Sequence, residues 1–187
     1  HLYTTPAVLA TLRPEDLPAL TFVSVGGETC PPALAQAWAG DHHMVAGYGP
    51  SETTVMSNLL DPLVADRPVT IGTPMPGFVE YVLDSRLQPV PDAAVGEMYL
   101  AGPALARGYL GRPGLTASRF VADPFGPAGR RMYRTGDLMR RPPGTGDAEY
   151  VGRTDLQIKL RGLRIELQEV EETLVRHPAV ARAVVVV

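Results

Sequence analysis

The alternation of hydrophobic and polar residues in the first third of the chain predicts a strand, a helix and a second strand. Residues 21–25 form a short β-branched run that ends at two glycines, a pattern typical of a strand followed by a turn. Pro31 and Pro32 can begin a helix over residues 33–39, and residues 44–48 form the second strand. Strand, helix and strand is the unit of a parallel sheet, and open sheets of this kind bind ligands at their carboxyl edge.

Between residues 61 and 153 the pattern changes to short hydrophobic runs separated by proline and glycine. It predicts a β-rich subdomain with one helix near residues 115–120 and a hairpin tip at residues 142–147. The predicted strands of this subdomain span residues 78–83, 97–101, 132–134 and 149–153.

After residue 153 the pattern predicts a small α+β element. Residues 157–160 alternate like a strand and residues 161–164 form a turn. A helix follows, and a last strand is predicted over residues 181–187. The apolar face of this helix carries Leu167, Val170, Leu174 and Val175.

Composition excludes several classes of protein. The chain has 187 residues and a net charge of −3, which gives no reason to expect a nucleic-acid partner. It has no run of about eighteen apolar residues, so no membrane span is expected. The single cysteine, Cys30, excludes an internal disulfide and favours a reducing compartment such as the cytoplasm. Because His1 is not an initiator methionine, we expect the chain to be part of a longer polypeptide.

Two segments at the predicted sheet edge carry candidate chemistry. Residues 47–54, GYGPSETT, combine an aromatic ring, a carboxylate and three hydroxyls in a rigid turn. The ring suits a flat ligand, and the carboxylate and hydroxyls suit a phosphate-bound metal. Upstream, Gly26, Gly27 and Glu28 form a turn at the same edge, for which a simple connector is the alternative interpretation.

Two further segments lie downstream. Asp137 follows a predicted strand and a glycine, where a carboxylate can accept both hydroxyls of a ribose. An acid in a β-turn is the alternative. Residues 152–167, GRTDLQIKLRGLRIEL, are dense in charge but alternate like a strand, so a solvated edge strand is possible there.

Together these segments resemble a known family. Four motifs occur in order, GYGPSETT, GEMYLAGPALARGYLGRP, MYRTGDL and GRTDLQIKLRGLRIEL. They resemble adenylate-forming enzymes, and specifically the amino-acid adenylation domains of nonribosomal peptide synthetases. The resemblance implies an α/β fold with a β-barrel-like subdomain. Residues 1–60 would be the end of the α/β sheet region of a larger core domain, residues 61–153 its β-rich subdomain, and residues 154–187 a hinge and the start of a small C-terminal domain.

The resemblance also implies an activity and its partners. In this family an amino-acid carboxylate attacks the α-phosphorus of ATP with the help of Mg²⁺, which gives aminoacyl-AMP and pyrophosphate. The acyl group then passes to the phosphopantetheine thiol of a carrier domain. Peptidyl carrier and condensation domains are the expected neighbours, and secondary metabolites such as antibiotics are the expected products.

Motif positions assign roles to individual residues by this resemblance. Tyr48 would stack on adenine, Glu52 would bind Mg²⁺, and Ser51 and Thr53 would lie near the phosphates. Asp155 matches the hinge about which the small domain rotates, and the turn at residues 161–164 would approach the pantetheine tunnel. The expected nucleotide-binding set is Gly26, Gly27, Glu28, Tyr48, Gly49, Asp137, Tyr150 and Arg153.

The resemblance also locates an amino-acid pocket. Its lining positions are Tyr3, Val23, Val25, Gly47, Val55 and Met56. None is charged, and a charged substrate side chain would be buried there without a partner, so we expect a neutral, mainly apolar or aromatic amino acid. Ordinary core positions are the alternative interpretation, above all for Val55 and Met56.

Two features qualify the expected activity. Ala46 stands where the family commonly has an asparagine that bonds adenine. The family's phosphate loop and amine-binding aspartate would lie before His1, and its catalytic lysine would lie after Val187. We therefore expect the isolated chain to be inactive.

Other functions remain open at this stage. A free-standing amino-acid ligase, or an aryl-acid or acyl-CoA ligase of the same superfamily, is the nearest alternative. A non-catalytic adenylation domain that only docks partners is an alternative of another class, and Ala46 is the feature that favours it.

Overall fold

The computed structural model describes residues 1–144, 146–160 and 162–186, which form two five-stranded sheets and a two-stranded hairpin. The strands of the first sheet lie side by side in chain order. They are β1 (Leu2–Thr4), β2 (Phe22–Gly26), β3 (His43–Tyr48), β4 (Asn58–Leu60) and β5 (Thr73–Pro74).

The predicted parallel unit is present in this first sheet. β1, β2 and β3 pair in parallel, and β4 and β5 continue the sheet in antiparallel pairings. Helix α1 (Pro6–Leu9) follows β1, and helix α2 (Pro32–Trp38) connects β2 to β3. Fully buried apolar side chains pack this layer, among them Leu9, Val23, Val25, Trp38 and Met44.

The second sheet is antiparallel and is built from strands between residues 79 and 153, whereas β5, at residues 73–74, belongs to the first sheet. Its strands are β6 (Val79–Leu83), β7 (Val95–Ala101), β8 (Phe120–Ala122), β9 (Arg131–Arg140) and β10 (Glu149–Arg153). Helix α3 (Pro113–Arg119) precedes β8. Strand order is β10-β9-β7-β6, with β8 paired to β9, so over the described residues the sheet stays open and does not close into a barrel.

A smaller element follows the second sheet. Strands β11 (Gln157–Leu160) and β12 (Leu163–Glu166) form an antiparallel hairpin, and helix α4 (Leu167–Val175) continues from it. Together the three parts confirm the predicted fold class. Within the described residues, no helix combines the length and the apolar character needed to cross a membrane.

Two local predictions were wrong. Leu163 and Arg164 belong to β12 and not to a turn, because Leu163 already pairs with Leu160 of β11, and Gly162 between the two strands takes the left-handed φ of +77°. Residues 181–186 form no strand, since no described strand pairs with them. Thr145, Arg161 and Val187, which also fell within predicted elements, lie outside the described residues.

The position of Asp137 also differs from expectation. Strand β9 runs on to Arg140, so Asp137 lies inside the strand and not after it. Residues 135–137 bulge opposite Met98, where Gly136 has φ +78° and the Thr135 hydroxyl donates to the Met98 carbonyl at 2.8 Å. A bulge turns side chains out of the regular alternation of a strand, and this one directs Asp137 toward the first sheet.

Candidate functional site

A cavity of about 210 Å³ opens at the carboxyl ends of β2 and β3. Parallel strands bring their carboxyl ends to one edge, so the glycine turn and the motif loop meet there as predicted. The hairpin β11–β12 contributes the opposite side of the cavity through Gln157 and Lys159. The remaining wall comprises Gly27, Glu28, Thr29, Cys30, Ala46, Gly47, Tyr48, Gly49, Val69, Thr70, Ile71, Tyr150 and Arg153.

Tyr48 is one of two tyrosines among the described residues of this wall. Its hydroxyl donates to Oδ2 of Asp137, which ties the first sheet to the second. The Lys159 ammonium lies 5.6 Å from the Tyr48 ring centroid. Burial raises the pKa of Tyr48 well above its usual value, and the Asp137 charge adds to that effect, so the hydroxyl remains a donor.

Asp137 and Arg153 form a buried ion pair behind Tyr48. Arg153 holds Asp155 as well, through Nε at 2.7 Å and Nη2 at 3.0 Å. It also donates to Gln157 Oε1 at 2.6 Å. Burial disfavours the guanidinium charge, but these two carboxylates outweigh burial and raise the pKa of Arg153. In this conformation both oxygens of Asp137 therefore already accept hydrogen bonds from the protein.

The predicted hinge residue, Asp155, lies at the junction of β10 and β11. Besides the two bonds from Arg153, its Oδ2 lies 3.4 Å from Nη2 of Arg119, and its Oδ1 accepts the Gln157 N–H at 3.3 Å. Burial raises the pKa of Asp155, but the two arginines and the backbone donor prevail and lower it. A network of ion pairs thus holds the proposed hinge in the conformation described.

Glu52 is buried although it is charged. Its Oε1 accepts a hydrogen bond from the Tyr109 hydroxyl at 2.6 Å and pairs with Arg164 Nη1 at 2.8 Å. Burial raises the pKa of Glu52, but the Tyr109 hydrogen bond and the Arg164 charge outweigh burial and lower it. The carboxylate is therefore ionised at neutral pH.

The hydroxyl residues of the motif loop shape its backbone. Thr53 is buried and donates to the Pro50 carbonyl at 2.8 Å, whereas Ser51 is exposed. Thr54 has φ +75°, an unusual conformation for a β-branched residue, and its hydroxyl donates to the Ala104 carbonyl at 2.8 Å. A side chain at Gly49 would lie 2.5 Å from the Val55 carbonyl oxygen, so the loop folds back closely on itself.

The upstream turn also contacts the hairpin. Gly26 packs against the Gly47 backbone, and Gly27 takes φ +84° in the turn. Glu28 lies in the cavity wall, where its Oε1 accepts the Gly162 N–H at 2.7 Å. Of the residues predicted to bind a nucleotide, Gly26 and Asp137 do not line the cavity, although Asp137 accepts the hydrogen bond of Tyr48; the others lie in its wall.

The positions predicted to line an amino-acid pocket differ widely in their solvent exposure. Val23 and Val25 are fully buried in the core, whereas Val55 is 74% exposed and Tyr3 is 72% exposed, with its ring beside Phe22. The Met56 side chain covers Gly47, where an added Cβ would lie 2.2 Å from the Met56 sulfur.

Several residues of the site were not singled out from the sequence. They are Tyr109, Arg119, Gln157 and Lys159. The last two lie in the fourth motif, whose strand-like alternation places both on the face of β11 that turns toward the cavity. Tyr109 lies in the second motif, where an aromatic ring between Gly108 and the downstream Gly111 was the available signal.

One side chain of the site, Glu52, is a ligand of the kind that Mg²⁺ uses. Glu52 Oε2 is buried and has no hydrogen-bond partner among the described residues, and carboxylate oxygen is a preferred donor for Mg²⁺. No group of three or more described His, Cys, Asp or Glu side chains could hold a metal together.

Comparison with known proteins agrees with this geometry. Residues 1–110 match the family described as AMP-binding enzyme. The chain is 53% identical over 191 residues to a probable non-canonical nonribosomal peptide synthetase, CymA, of Salinispora arenicola, covering 100% of this chain and 2% of that protein. It is 46% identical to novobiocin biosynthesis protein H of Streptomyces niveus, covering 98% of this chain and 30% of that protein.

Solved structures show the same relationship. An artificially fused adenylation–PCP di-domain from Klebsiella oxytoca, NpsA-ThdA, superposes with a TM-score of 0.84 at 29% identity, covering 99% of this chain and 39% of that one. Holo-PA1221, a nonribosomal peptide synthetase protein with adenylation and PCP domains, gives a TM-score of 0.88 at 28% identity, covering 96% of this chain and 33% of that one. The chain therefore belongs to the AMP-binding enzyme family and is similar to adenylation domains of nonribosomal peptide synthetases.

Proposed function

We propose that the full-length protein carrying this chain activates an amino acid with ATP for nonribosomal peptide synthesis. A carboxylate oxygen of the amino acid bonds to the α-phosphorus, and the bond from that phosphorus to pyrophosphate breaks. The thiol of a carrier's phosphopantetheine then takes the acyl group, and AMP leaves. The observation that carries the proposal is the chain of hydrogen bonds Tyr48–Asp137–Arg153, which joins three separate family motifs beside one cavity.

Nucleotide binding is the part that this chain supports best. The Tyr48 ring would stack on the base, and Lys159 brings positive charge to the cavity wall, which suits a phosphate-bearing ligand. Asp137 would accept ribose hydroxyls through lone pairs that Tyr48 and Arg153 leave available. Ala46 in the wall offers no side-chain bond to adenine, so backbone groups would read the base.

Glu52 is the proposed metal ligand. When bound, Mg²⁺ would offset the negative charge that builds on phosphate oxygens. The unpartnered Oε2 of Glu52 supports this assignment, because a buried anionic oxygen without a donor is costly unless a cation joins it. Ser51 and Thr53, on the same loop, would lie near the phosphates.

The proposed substrate is a neutral, mainly apolar or aromatic amino acid. Gly47 and Met56 support this most directly, since they are in contact and neither carries charge. Because Val23 and Val25 are packed into the core, the pocket depends on Gly47 and Met56 within this chain.

Carrier and condensation domains are the proposed partners, in the cytoplasm. The structural relatives named above contain adenylation and PCP domains in one protein, which supports a carrier partner for this chain. Asp155 is the proposed hinge between an adenylation state and a thioester-forming state. Rotation there would withdraw the hairpin β11–β12, whose Gly162 and Arg164 now contact Glu28 and Glu52.

A pair of aspartates provides the test of nucleotide binding. Asp123 resembles Asp137 in being buried, paired with an arginine and bonded to a tyrosine hydroxyl, but its partners Arg130 and Tyr81 do not line the cavity, whereas those of Asp137 do. We expect Asp137→Asn in the full-length protein to weaken ATP binding about tenfold or more in equilibrium dialysis, since a hydrogen bond to a charged group contributes about 1.5–3 kcal/mol. Asp123→Asn is the control and should leave ATP affinity within twofold. Unchanged affinity in Asp137→Asn would contradict the ribose role.

A further inference from the structure

The two carboxylate oxygens of Glu52 have different surroundings. Oε1 accepts the Tyr109 hydroxyl at 2.6 Å and pairs with Arg164 at 2.8 Å. Oε2 is buried and has no hydrogen-bond partner among the described residues. Because both partners converge on one oxygen, the carboxylate is fixed in orientation while its other oxygen remains available.

We propose that Tyr109 is a positioning residue that holds Glu52 in the orientation in which Oε2 can bind Mg²⁺. This inference rests on the proposed function, in which Glu52 is the metal ligand of the ATP site. Partners that orient a metal ligand matter for metal affinity, typically by about 10- to 100-fold, because they fix the direction of its lone pairs.

Tyr109 is itself held firmly. Its backbone N–H donates to Thr116 Oγ1 at 2.9 Å, and its ring lies edge-on to Phe120 with centroids 5.7 Å apart. Its hydroxyl is 3.4 Å from the Tyr133 hydroxyl, which is fully buried. A constrained ring of this kind can impose its geometry on the carboxylate that it contacts.

The Tyr109 loop and the Glu52 turn are also joined by their backbones. The Ala106 N–H donates to the Glu52 carbonyl at 2.8 Å, and the Thr54 hydroxyl donates to the Ala104 carbonyl at 2.8 Å. Tyr109 therefore contacts Glu52 from a segment anchored to the motif loop.

Arg164, the other partner of Glu52, differs from Tyr109 in its position relative to the proposed hinge. It lies on β12, beyond the proposed hinge at Asp155, so rotation of the hairpin would remove it from Glu52. Tyr109 lies before the hinge and would stay in place. The tyrosine is therefore the partner that would orient Glu52 in both states.

The Tyr109 hydroxyl donates its hydrogen bond to Oε1 of Glu52. A phenylalanine at position 109 would keep the ring packing on Phe120 and remove only the donor.

The experiment measures the metal's contribution to nucleotide binding in the full-length protein. Calorimetry gives the affinity for α,β-methylene-ATP with Mn²⁺ and without any divalent metal, and the ratio of the two affinities is the readout. A general loss of stability changes both affinities and cancels in the ratio. The variants are Glu52→Gln, Tyr109→Phe and Tyr81→Phe, the last a control that removes a tyrosine–carboxylate bond at Asp123.

We expect Glu52→Gln to bring the ratio close to one, Tyr109→Phe to lower it about tenfold, as is typical for partners of metal ligands, and Tyr81→Phe to leave it unchanged. A normal ratio in Tyr109→Phe together with a lowered ratio in Glu52→Gln overturns the inference and leaves the proposed function intact. A normal ratio in Glu52→Gln overturns the proposed metal role of Glu52 itself.

A second measurement tests the positioning role while the Tyr109 hydroxyl is kept. With 3-fluorotyrosine at position 109, the fluorine resonance should shift when Mg²⁺ is added to the complex with α,β-methylene-ATP, and the shift should be absent in Glu52→Gln. Fluorotyrosine at position 81 should show no shift. A resonance at position 109 that does not respond to Mg²⁺ would overturn the positioning role.

Discussion

The guanidinium of Arg164 lies 2.8 Å from Oε1 of Glu52, across 112 positions of sequence. Two further contacts bring the same hairpin onto the cavity, from the Gly162 N–H to Glu28 at 2.7 Å and from Lys159 to the Tyr48 ring at 5.6 Å. The hairpin β11–β12 therefore docks on the candidate site through charge and backbone contacts. This docking makes the position of the hairpin sensitive to single substitutions.

Removing the Arg164 charge should loosen the docked hairpin. We expect Arg164→Gln to increase the hydrogen-exchange rate of the Gly162 amide, because that amide is protected by Glu28 only while the hairpin is docked. The Arg164 side chain is 40% exposed, so an effect of about two- to fivefold is expected, as for a partly solvated ion pair. Arg140→Gln, which breaks the exposed pair with Glu149, should leave the Gly162 rate unchanged. Equal protection in all three proteins would show that Arg164 does not hold the hairpin.

Alanine substitutions at two glycines with the same backbone conformation distinguish the effect of hairpin docking from the effect of backbone strain. Gly162 has φ +77° and Gly144 has φ +79°, so alanine at either position has a similar left-handed cost of about 1–2 kcal/mol. Only at position 162 would the new Cβ meet another side chain, Thr5 Cγ2 at 2.8 Å. At position 144 no described atom lies within 4 Å.

We therefore expect Gly162→Ala to undock the hairpin and Gly144→Ala to leave it docked, although both lower thermal stability slightly. Hydrogen exchange of residues 157–160 reports the difference. Similar exchange in the two variants would mean that close contact with Thr5 is not needed for docking.

Cys30 should be almost unreactive toward alkylation. It is buried in the cavity wall, and burial raises the pKa of its thiol from 9.0 to about 11. At pH 8 the thiolate fraction is then about 100-fold lower than for a thiol of pKa 9.0, and the rate should rise about tenfold per pH unit until the pH approaches the raised pKa. Mass-spectrometric peptide mapping after iodoacetamide treatment measures this rate, with guanidinium-denatured protein as the control. Alkylation at pH 8 that is as fast in the native as in the denatured protein would contradict both the burial and the pKa.

Local patterns predicted the parts of the fold that depend on local interactions. The β2–α2–β3 unit and the bounds of β10 follow from the period of the hydrophobic residues and from proline and glycine at the boundaries. Strands β1, β4, β5 and β8 were missed because they have two or three residues, too few to show a period. The strand predicted over residues 181–187 was an error of the opposite kind, a strand predicted where residues 181–186 form none. A β-branched run forms a strand only where another strand pairs with it.

The residues of the candidate site also fall into those that the sequence predicts and those that depend on tertiary packing. The turn at Gly27 and the loop at Tyr48 could be placed at one cavity because parallel strands end at the same sheet edge, whereas Arg153, on β10 of the second sheet, was assigned to the nucleotide only by the family resemblance. The bond from Tyr109 to Glu52 joins residues 57 positions apart and depends on how the second sheet packs on the first, which no local pattern records. The ion pair of Asp137 with Arg153 likewise requires the bulge in β9, whose extent the sequence did not reveal.

The central claim is that the full-length protein activates a neutral amino acid with ATP. ATP–pyrophosphate exchange over a panel of neutral, acidic and basic amino acids, together with aryl and aliphatic acids, tests it most directly. We predict exchange that depends on a neutral, apolar or aromatic amino acid. Exchange driven only by Asp, Glu, Lys or Orn would contradict the predicted pocket. Exchange driven only by aryl or aliphatic acids, or by no acid at all, would contradict amino-acid activation itself.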